Sequence, residues 1–485
     1  MSEFGHFQIL INDEWVEGSD SQQGQIISPA TGELLATVAI GTPQDVDTAV
    51  AAARAQMDGG SWSSTTGAER GKILNRLASL VERDADLLSR LDALCIGRPV
   101  AEAMGFDVDN AARTFRYYSG LADKIEGRVI PNSGYFGRSM LSYTTRHPVG
   151  VVAAIVPWNA PLMITAWKLG AALAAGCAVV LKPSEESPLS QLHLAKLARE
   201  AGLPAGVLNV ITGPGDVCGA ALVTHPDVDK VSFTGSPEVG RWIQRAAADT
   251  FKRVSLELGG KSPQVIFEDA DLESVVMGCA AGLFLNQGQV CAAGSRVLVH
   301  RSIADEVTQR LIAVADAIRL GDPGSPETQM GSLASQKQLE RVQGFIGKGL
   351  AEGARIASGG ALGVPDRGYY LRPTIFTQVS PTMAIAQEEI FGPVGCVIPF
   401  DSDDEAVAIA NHTRYGLAAS VWTQDIGRAH RVARAIRAGS VGINAWTPNS
   451  PELPWGGFKT SGIGRELGLS GVLAYTEEQV VNVVL

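Results

Sequence analysis

The chain is poor in the residues that usually announce metal or disulfide chemistry. It has seven histidines and six cysteines among 485 residues. The thiols are Cys95, Cys177, Cys218, Cys279, Cys291 and Cys396, and the nearest two are twelve residues apart. There is no CxxC pair and no His/Cys cluster with zinc spacing, so no metal site and no CxxC redox centre is expected. The start, "MSEFGHFQILINDEWVEG", carries acids early and lacks the basic segment of a secretory signal. Free thiols in a reducing cytoplasm are the expectation.

Positive charge is scarce too. Lys+Arg number 40 against 51 Asp+Glu, for a net charge of −11, and no basic run stands out. That excludes a nucleic-acid surface. One stretch invites a membrane reading: the twenty residues from Pro148 to Trp167 carry no formal charge. Pro157 and Pro161 interrupt it, however, so a strand, a turn and a helix start explain it better than a span. Repeats and low-complexity segments are missing.

What is present is alternation. Between about 149 and 260, short apolar runs alternate with helical patterns. "GVVAAIV" (150–156), "CAVVLKP" (177–183), "VLNVITG" (207–213), "KVSFTG" (230–235) and "RVSLELGG" (253–260) read as strands. Helices at 161–176, 189–202 and near 237–248 connect them. This order predicts a Rossmann-like parallel sheet with ligands beyond the carboxyl ends of its strands. Residues 43–122 read as mostly helical. "QVIF" (264–267), "RVLVH" (296–300), "CVIPF" (396–400), "AASVWT" (418–423) and "SVGIN" (440–444) predict a second α/β domain. The tail "EQVVNVVL" (478–485) alternates like a strand that completes a sheet, its own or another subunit's.

Several motifs have both a chemical and an ordinary reading. "GPGDVCG" and "GIGRELG" space glycines as GxGxxxG, not as the dinucleotide fingerprint. "ELGGKS" has Ser255 where a phosphate loop needs Gly. In "FTGSPEVG", Ser236 precedes Pro237 at a helix start, which suits a bound phosphate or simple N-capping. In "LKPSEESP", Lys182, Ser184 and Glu185 suit ribose hydroxyls or a solvated turn. In "VPWNAP", Asn159 between two prolines is a held oxyanion donor or an Asx turn. Glu257 ends an apolar strand, as a desolvated base or as a solvent-facing carboxylate. Cys291, in "LNQGQVCAAGSR", is buried filler or a nucleophile.

These motifs occur in one chain together with "EEIFGPV" (388–394) and "PWGGFKTSGIGRELG" (454–468). In this the chain resembles the aldehyde dehydrogenase superfamily along essentially its whole length. The 34 residues from Glu257 to Cys291 fit that family too. The resemblance implies that Cys291 attacks an aldehyde carbonyl while the Asn159 amide and the Cys291 N–H hold the oxyanion. Hydride passes to nicotinamide, and Glu257 activates the water that hydrolyses the thioester. Lys168 and Glu466 match a proton relay around that base.

The same resemblance implies a set of cofactor contacts. These are Val156, Pro157, Trp158 and Asn159 on one loop, and Lys182, Ser184, Glu185 and Gly215 around the adenosine ribose. Phe233, Thr234, Gly235, Ser236 and Val239 lie near the pyrophosphate. Glu257, Leu258, Gly259, Glu389 and Phe391 lie near the nicotinamide. Glu185 accepts a ribose 2′-hydroxyl and repels a 2′-phosphate, so NAD is expected over NADP.

The substrate tunnel is expected at Ala160, Ile164, Trp167, Leu285, Val290, Asn449 and Trp455. Two aromatic positions typical of betaine-aldehyde enzymes are Ala160 and Leu285 here, so a medium or bulky apolar aldehyde (aromatic, terpenoid or alkyl) is expected. Betaine- or amino-aldehydes and a CoA-acylating reaction are the alternatives; relatives of the latter kind typically lack the glutamate at 257. A cofactor-binding scaffold without catalysis is disfavoured by the presence of Cys291, Asn159 and Glu257. The implied domains are 1–126 with 149–257 for cofactor, 258–460 for catalysis, and 127–148 with 470–485 as a small β arm for a homodimer or homotetramer.

Overall fold

The computed structural model describes residues 2–360, 364–446 and 449–485. Its first sheet has eight strands in the order Gly462–Ile463, Arg253–Glu257, Lys230–Thr234, Val151–Ile155, Ala178–Lys182, Leu208–Val210, Ile9–Ile11 and Glu14–Val16. The five from Arg253–Glu257 to Leu208–Val210 are parallel. Val151–Ile155 and Ala178–Lys182 are buried at every position, which is why they read as unbroken apolar runs.

From Val151–Ile155 the chain steps outward to Leu208–Val210. It then returns to the other side as Lys230–Thr234 and Arg253–Glu257. The reversal opens a crevice at the carboxyl ends of Val151–Ile155 and Lys230–Thr234, where ligands of such sheets bind. The helix Pro161–Ala175 packs beneath it. Pro161 opens this helix and Gly176, at φ 95°, ends it; all fifteen residues are buried. An all-round apolar helix belongs in a core, and here it carries one charge inside, Lys168.

The second sheet has seven strands: Arg355–Gly360, Arg372–Thr377, Val394–Phe400, Arg296–His300, Pro263–Ile266, Ala418–Trp422 and Ser440–Ile443. All pairings are parallel except that of the edge strand Arg355–Gly360. The mixed α/β class with two parallel-sheet units is therefore as the sequence predicts.

Three features go beyond that expectation. The first forty residues form five short strands, two of which extend the first sheet. Gly462–Ile463 crosses back to pair antiparallel with Leu256 and Glu257, in a stretch assigned to no unit from sequence. The terminal strand Thr476–Val484 pairs with Met140–Pro148 of its own chain, from Thr476 opposite Pro148 to Val484 opposite Met140. Val129–Ile130 completes this three-stranded sheet.

Candidate active site

A cavity of about 790 Å³ lies between the two sheets. Its walls come from the turns that end the strands. Pro157, Trp158, Asn159 and Ala160 follow Val151–Ile155, and Thr234, Gly235 and Ser236 follow or end Lys230–Thr234. Glu257, Leu258 and Gly259 leave the next strand. Val290, Cys291 and Ala292 face them, with Glu389 and Phe391 from the second unit.

Cys291 is reached by an unusual backbone. The helix Leu272–Phe284 ends, and Asn286, Gln287 and Gly288 take φ of 49°, 55° and 69°. Left-handed conformations at two non-glycine residues in a row are costly and need support from the surroundings. That support is visible. Asn286 Nδ2 donates to the Asn159 carbonyl at 2.7 Å and to the Gln289 carbonyl at 3.2 Å. Asn159 Nδ2 also donates to the Gln289 carbonyl, at 2.9 Å. A Cβ on Gly288 would sit 2.2 Å from the Gly392 carbonyl oxygen, so this position also excludes side chains.

The electrostatics disfavour a resting thiolate. Burial, then the Glu389 and Glu257 carboxylates, push the Cys291 thiol up to about 12. Burial, then the neighbouring Glu466, hold Glu257 well above the usual carboxylate range, against the pull of Lys168. Glu257 therefore starts as an acid and becomes a base only when something takes its proton. Behind it, Lys168 pairs with Glu466, and Lys168 Nζ also donates to Ser232 Oγ at 3.2 Å. Tyr475 donates to the same hydroxyl at 3.0 Å.

The other expected contacts fall in two groups. Lys182 Nζ lies 3.5 Å from Glu185 Oε2, and Glu185 Oε1 accepts the Gly215 N–H at 2.7 Å. Ser184 bonds Glu186, a residue of the cavity wall. Val156 and Phe233 are buried behind the crevice, while Val239 is exposed on the first turn of Pro237–Ala248. Ser236 caps that helix by accepting the Val239 N–H at 3.3 Å, so the N-capping reading is realised. Near Cys291, Glu389 Oε1 accepts the Gly260 N–H at 3.0 Å, and a Cβ on Gly259 would overlap the Glu389 carboxylate at 2.3 Å. Burial pushes the Glu389 carboxyl up to about 7. Phe391 stands edge-on to Trp158 with centroids 5.3 Å apart.

Of the residues expected at a substrate tunnel, Ala160, Ile164, Trp167, Val290, Asn449 and Trp455 line the cavity. Leu285 does not; it is half-buried at the turn after Leu272–Phe284. Trp167 and Trp455 pack edge to face at 6.0 Å, and Trp167 Nε1 donates to Asn110 Oδ1 at 2.8 Å. Sequence reasoning missed Phe106, Met163 and Trp446 here, and Gln338, Arg341 and Phe345 at the opposite end. Met163 was findable, one helical turn after Ala160. Phe106 sits in the π-helical stretch Met104–Val108, which has no sequence signature.

A doubly wound sheet and a second α/β unit put a thiol, a side-chain amide and a carboxylate of raised pKa on one cavity, an arrangement that suits covalent catalysis. The aldehyde dehydrogenase family pattern matches residues 15–481. The chain is 45% identical over 478 residues to the mitochondrial aldehyde dehydrogenase of Homo sapiens, covering 98% of this chain and 92% of that one. It superposes on the NAD+ complex of the Bacillus cereus aldehyde dehydrogenase with a TM-score of 0.96 at 46% identity, covering 99% and 97% of the two chains. Betaine aldehyde dehydrogenase of Staphylococcus aureus matches with a TM-score of 0.96 at 39% identity, over 98% and 97%. The chain belongs to the aldehyde dehydrogenase family.

Proposed function

We propose that this protein oxidises a medium or bulky apolar aldehyde to its carboxylic acid, with NAD as acceptor and Cys291 as the nucleophile. The observation that carries it is one cavity lined by Cys291, Asn159 and Glu257 together with aromatic side chains and the strand-end residues Thr234, Gly235 and Ser236.

The residues present fit a dinucleotide. Thr234 Oγ1 and Glu257 Oε2 are buried without hydrogen-bond partners at the crevice. The Lys182–Glu185 pair offers a cation and an acceptor to a ribose. When bound, NAD supplies the two-electron acceptor that the oxidation needs. The protein's own residues do the rest. The Cys291 sulfur adds to the carbonyl carbon, and the thiol proton passes to water in the cavity. The developing oxyanion takes the second Nδ2–H of Asn159 and the Cys291 N–H, both prepositioned. Once the carbon is oxidised, the sulfur carries a thioester. Glu257 takes a proton from water, which attacks that thioester and frees the acid. Lys168 and Glu466 stand behind Glu257 as the route by which its proton leaves.

Phe106, Met163, Ile164, Trp167, Val290 and Trp455 support an apolar aldehyde. A second reading comes from Phe106 and Trp446, two aromatic walls additional to Trp167 and Trp455. Four aromatic faces also suit a quaternary ammonium, so a trimethylammonium aldehyde belongs in the same trial. Glu257 supports hydrolysis over transfer to CoA. The decisive experiment follows NADH formation, free acid and acyl-CoA over a panel of aldehydes, with NAD and NADP. No NADH with any aldehyde would overturn the reading.

The unit division at 1–126 with 149–257, 258–460, and 127–148 with 470–485 is part of the same reading. So are a cytoplasmic location and self-association. Thr476–Val484 is an edge strand that exposes Val480, Val483 and Val484, which suits pairing with another copy. Among the described residues no helix is long and apolar enough to cross a membrane. Light scattering in solution distinguishes monomer, dimer and tetramer.

A further inference from the structure

The left-handed turn that delivers Cys291 has a partner outside both the cofactor and substrate contacts. Glu102, on the short helix Val100–Ala103, accepts the backbone N–H of Asn286 on its Oε1 at 2.7 Å. Asn286 is fully buried just past the helix Leu272–Phe284, and the Gly282 carbonyl four residues back is taken by the Gly294 N–H at 2.9 Å, so the Asn286 N–H finds its acceptor in Glu102. A carboxyl oxygen accepts a backbone N–H in either protonation state, and more strongly when ionised. One residue on, Gln287 Nε2 donates to the Gly97 carbonyl at 3.0 Å, so the segment around 97–102 grips the turn twice.

The grip reaches the reacting groups through Asn286. Its side-chain amide holds the carbonyls of Asn159 and Gln289, the residues that set the oxyanion amide and the approach to Cys291. Burial pushes the Glu102 carboxyl up to about 7, against the pull of the Arg98 charge and of the Asn286 N–H; Arg98 is itself buried in an ion pair with Asp107. We infer that Glu102 is a positioning residue: by accepting the Asn286 N–H it holds the left-handed turn 286–288 in register, and so aligns the Cys291 sulfur with the Asn159 amide. Phe106, a turn further along the same segment, lines the cavity, so the element that grips the turn also forms part of the aldehyde wall.

The inference rests on the proposed function for its kinetic consequence, but not for its effect on the thiol. The test compares the full-length protein with Glu102→Gln, which keeps a carbonyl acceptor, and Glu102→Leu, which removes it. Glu102→Ala replaces the leucine variant should that one not fold, as judged by its melting curve. Three quantities are read: kcat, the KM for NAD, and the rate of Cys291 alkylation by iodoacetamide, located by peptide mass spectrometry. Loss of the acceptor lowers kcat by about tenfold to a hundredfold, the scale of sub-ångström to ångström misplacement. The KM for NAD stays within about twofold, because Lys182 and Glu185 hold each other and the Gly215 N–H rather than any residue of the turn, and Cys291 alkylation departs from wild type by about threefold or more. The glutamine variant restores both. Unchanged kcat and alkylation in the leucine or alanine variant overturn the inference, as does equal loss in glutamine and leucine. A wild-type protein that oxidises no aldehyde sinks the proposed function, while the alkylation comparison still decides the role of Glu102.

Discussion

Asn159 Nδ2 donates to the carbonyl of Gln289 at 2.9 Å across 130 residues of chain. That bond occupies one of the two amide hydrogens and fixes the direction of the other, two residues before the nucleophile. Replacing Asn159 by Ala removes the oxyanion donor and unties the loop. The expected result is a fall in kcat of about 10²–10³ with little change in the KM for NAD. Steady-state kinetics on the best aldehyde check it.

Glu257→Gln keeps the shape of the site and removes the base. Cys291 still reacts, so the thioester accumulates, and steady-state turnover falls by about 10²–10⁴. Intact-mass spectrometry after one turnover shows a covalent acyl adduct at Cys291. Hydrolysis at the wild-type rate would rule out Glu257 as the base.

The pH profile follows from two raised pKa values. Cys291 at about 12 and Glu257 well above its normal range are both protonated at neutral pH in the resting site. Their active forms are the deprotonated ones, so kcat rises from pH 6 toward pH 9. A flat profile with an acidic limb near 4.5 would contradict a desolvated Glu257.

The same shift has a stability sign. The folded state keeps the Glu257 proton at a pH where the unfolded chain has released it. Folding therefore binds a proton, and the stabilising linkage fades as pH rises from the unfolded pKa toward the raised folded one. Glu257→Gln, which cannot ionise, melts higher than wild type at pH 8 and nearly level with it at pH 4.5. Calorimetric scans at the two pH values test this.

Glu185→Ser removes the carboxylate proposed to accept a ribose hydroxyl and to repel a 2′-phosphate. NADP use then rises relative to NAD, and the ratio of kcat/KM for the two cofactors measures it. An unchanged ratio counts against the ribose assignment.

Trp167→Ala opens the tunnel and breaks the edge-to-face pair with Trp455. For a bulky apolar aldehyde kcat/KM drops by about 10–200-fold, the worth of lost apolar contact, while a short aldehyde is less affected. A parallel loss for both would place Trp167 outside the tunnel's selectivity.

Much of this was legible in the chain. The apolar strands 150–156 and 177–183 could be read because both faces are covered, so every position is apolar. The helix 161–176 could be read from Pro161 and Gly176. Cys291, Asn159 and Glu257 each had an ordinary local reading as well, and it was the order of the motifs along the whole chain, through the family resemblance, that singled them out. What local pattern cannot carry is distance between remote segments. The strand Gly462–Ile463 pairs with Glu257 only after some two hundred residues of intervening fold, and it brings Glu466 to Lys168. Phe106 enters the cavity wall from a π-helical turn, and Leu285 falls outside it where the chain enters a left-handed turn, neither of which any periodicity encodes.

The sequence by itself therefore determined the two α/β units and the motifs that carry the candidate reacting groups. Those depend on residue type and on neighbours a few positions away. The tertiary structure alone decided their protonation, their alignment and the shape of the tunnel. Burial and long-range contact set the Glu257 proton, the reach of Asn159 to Gln289, and the hold of Glu102 on the turn before Cys291.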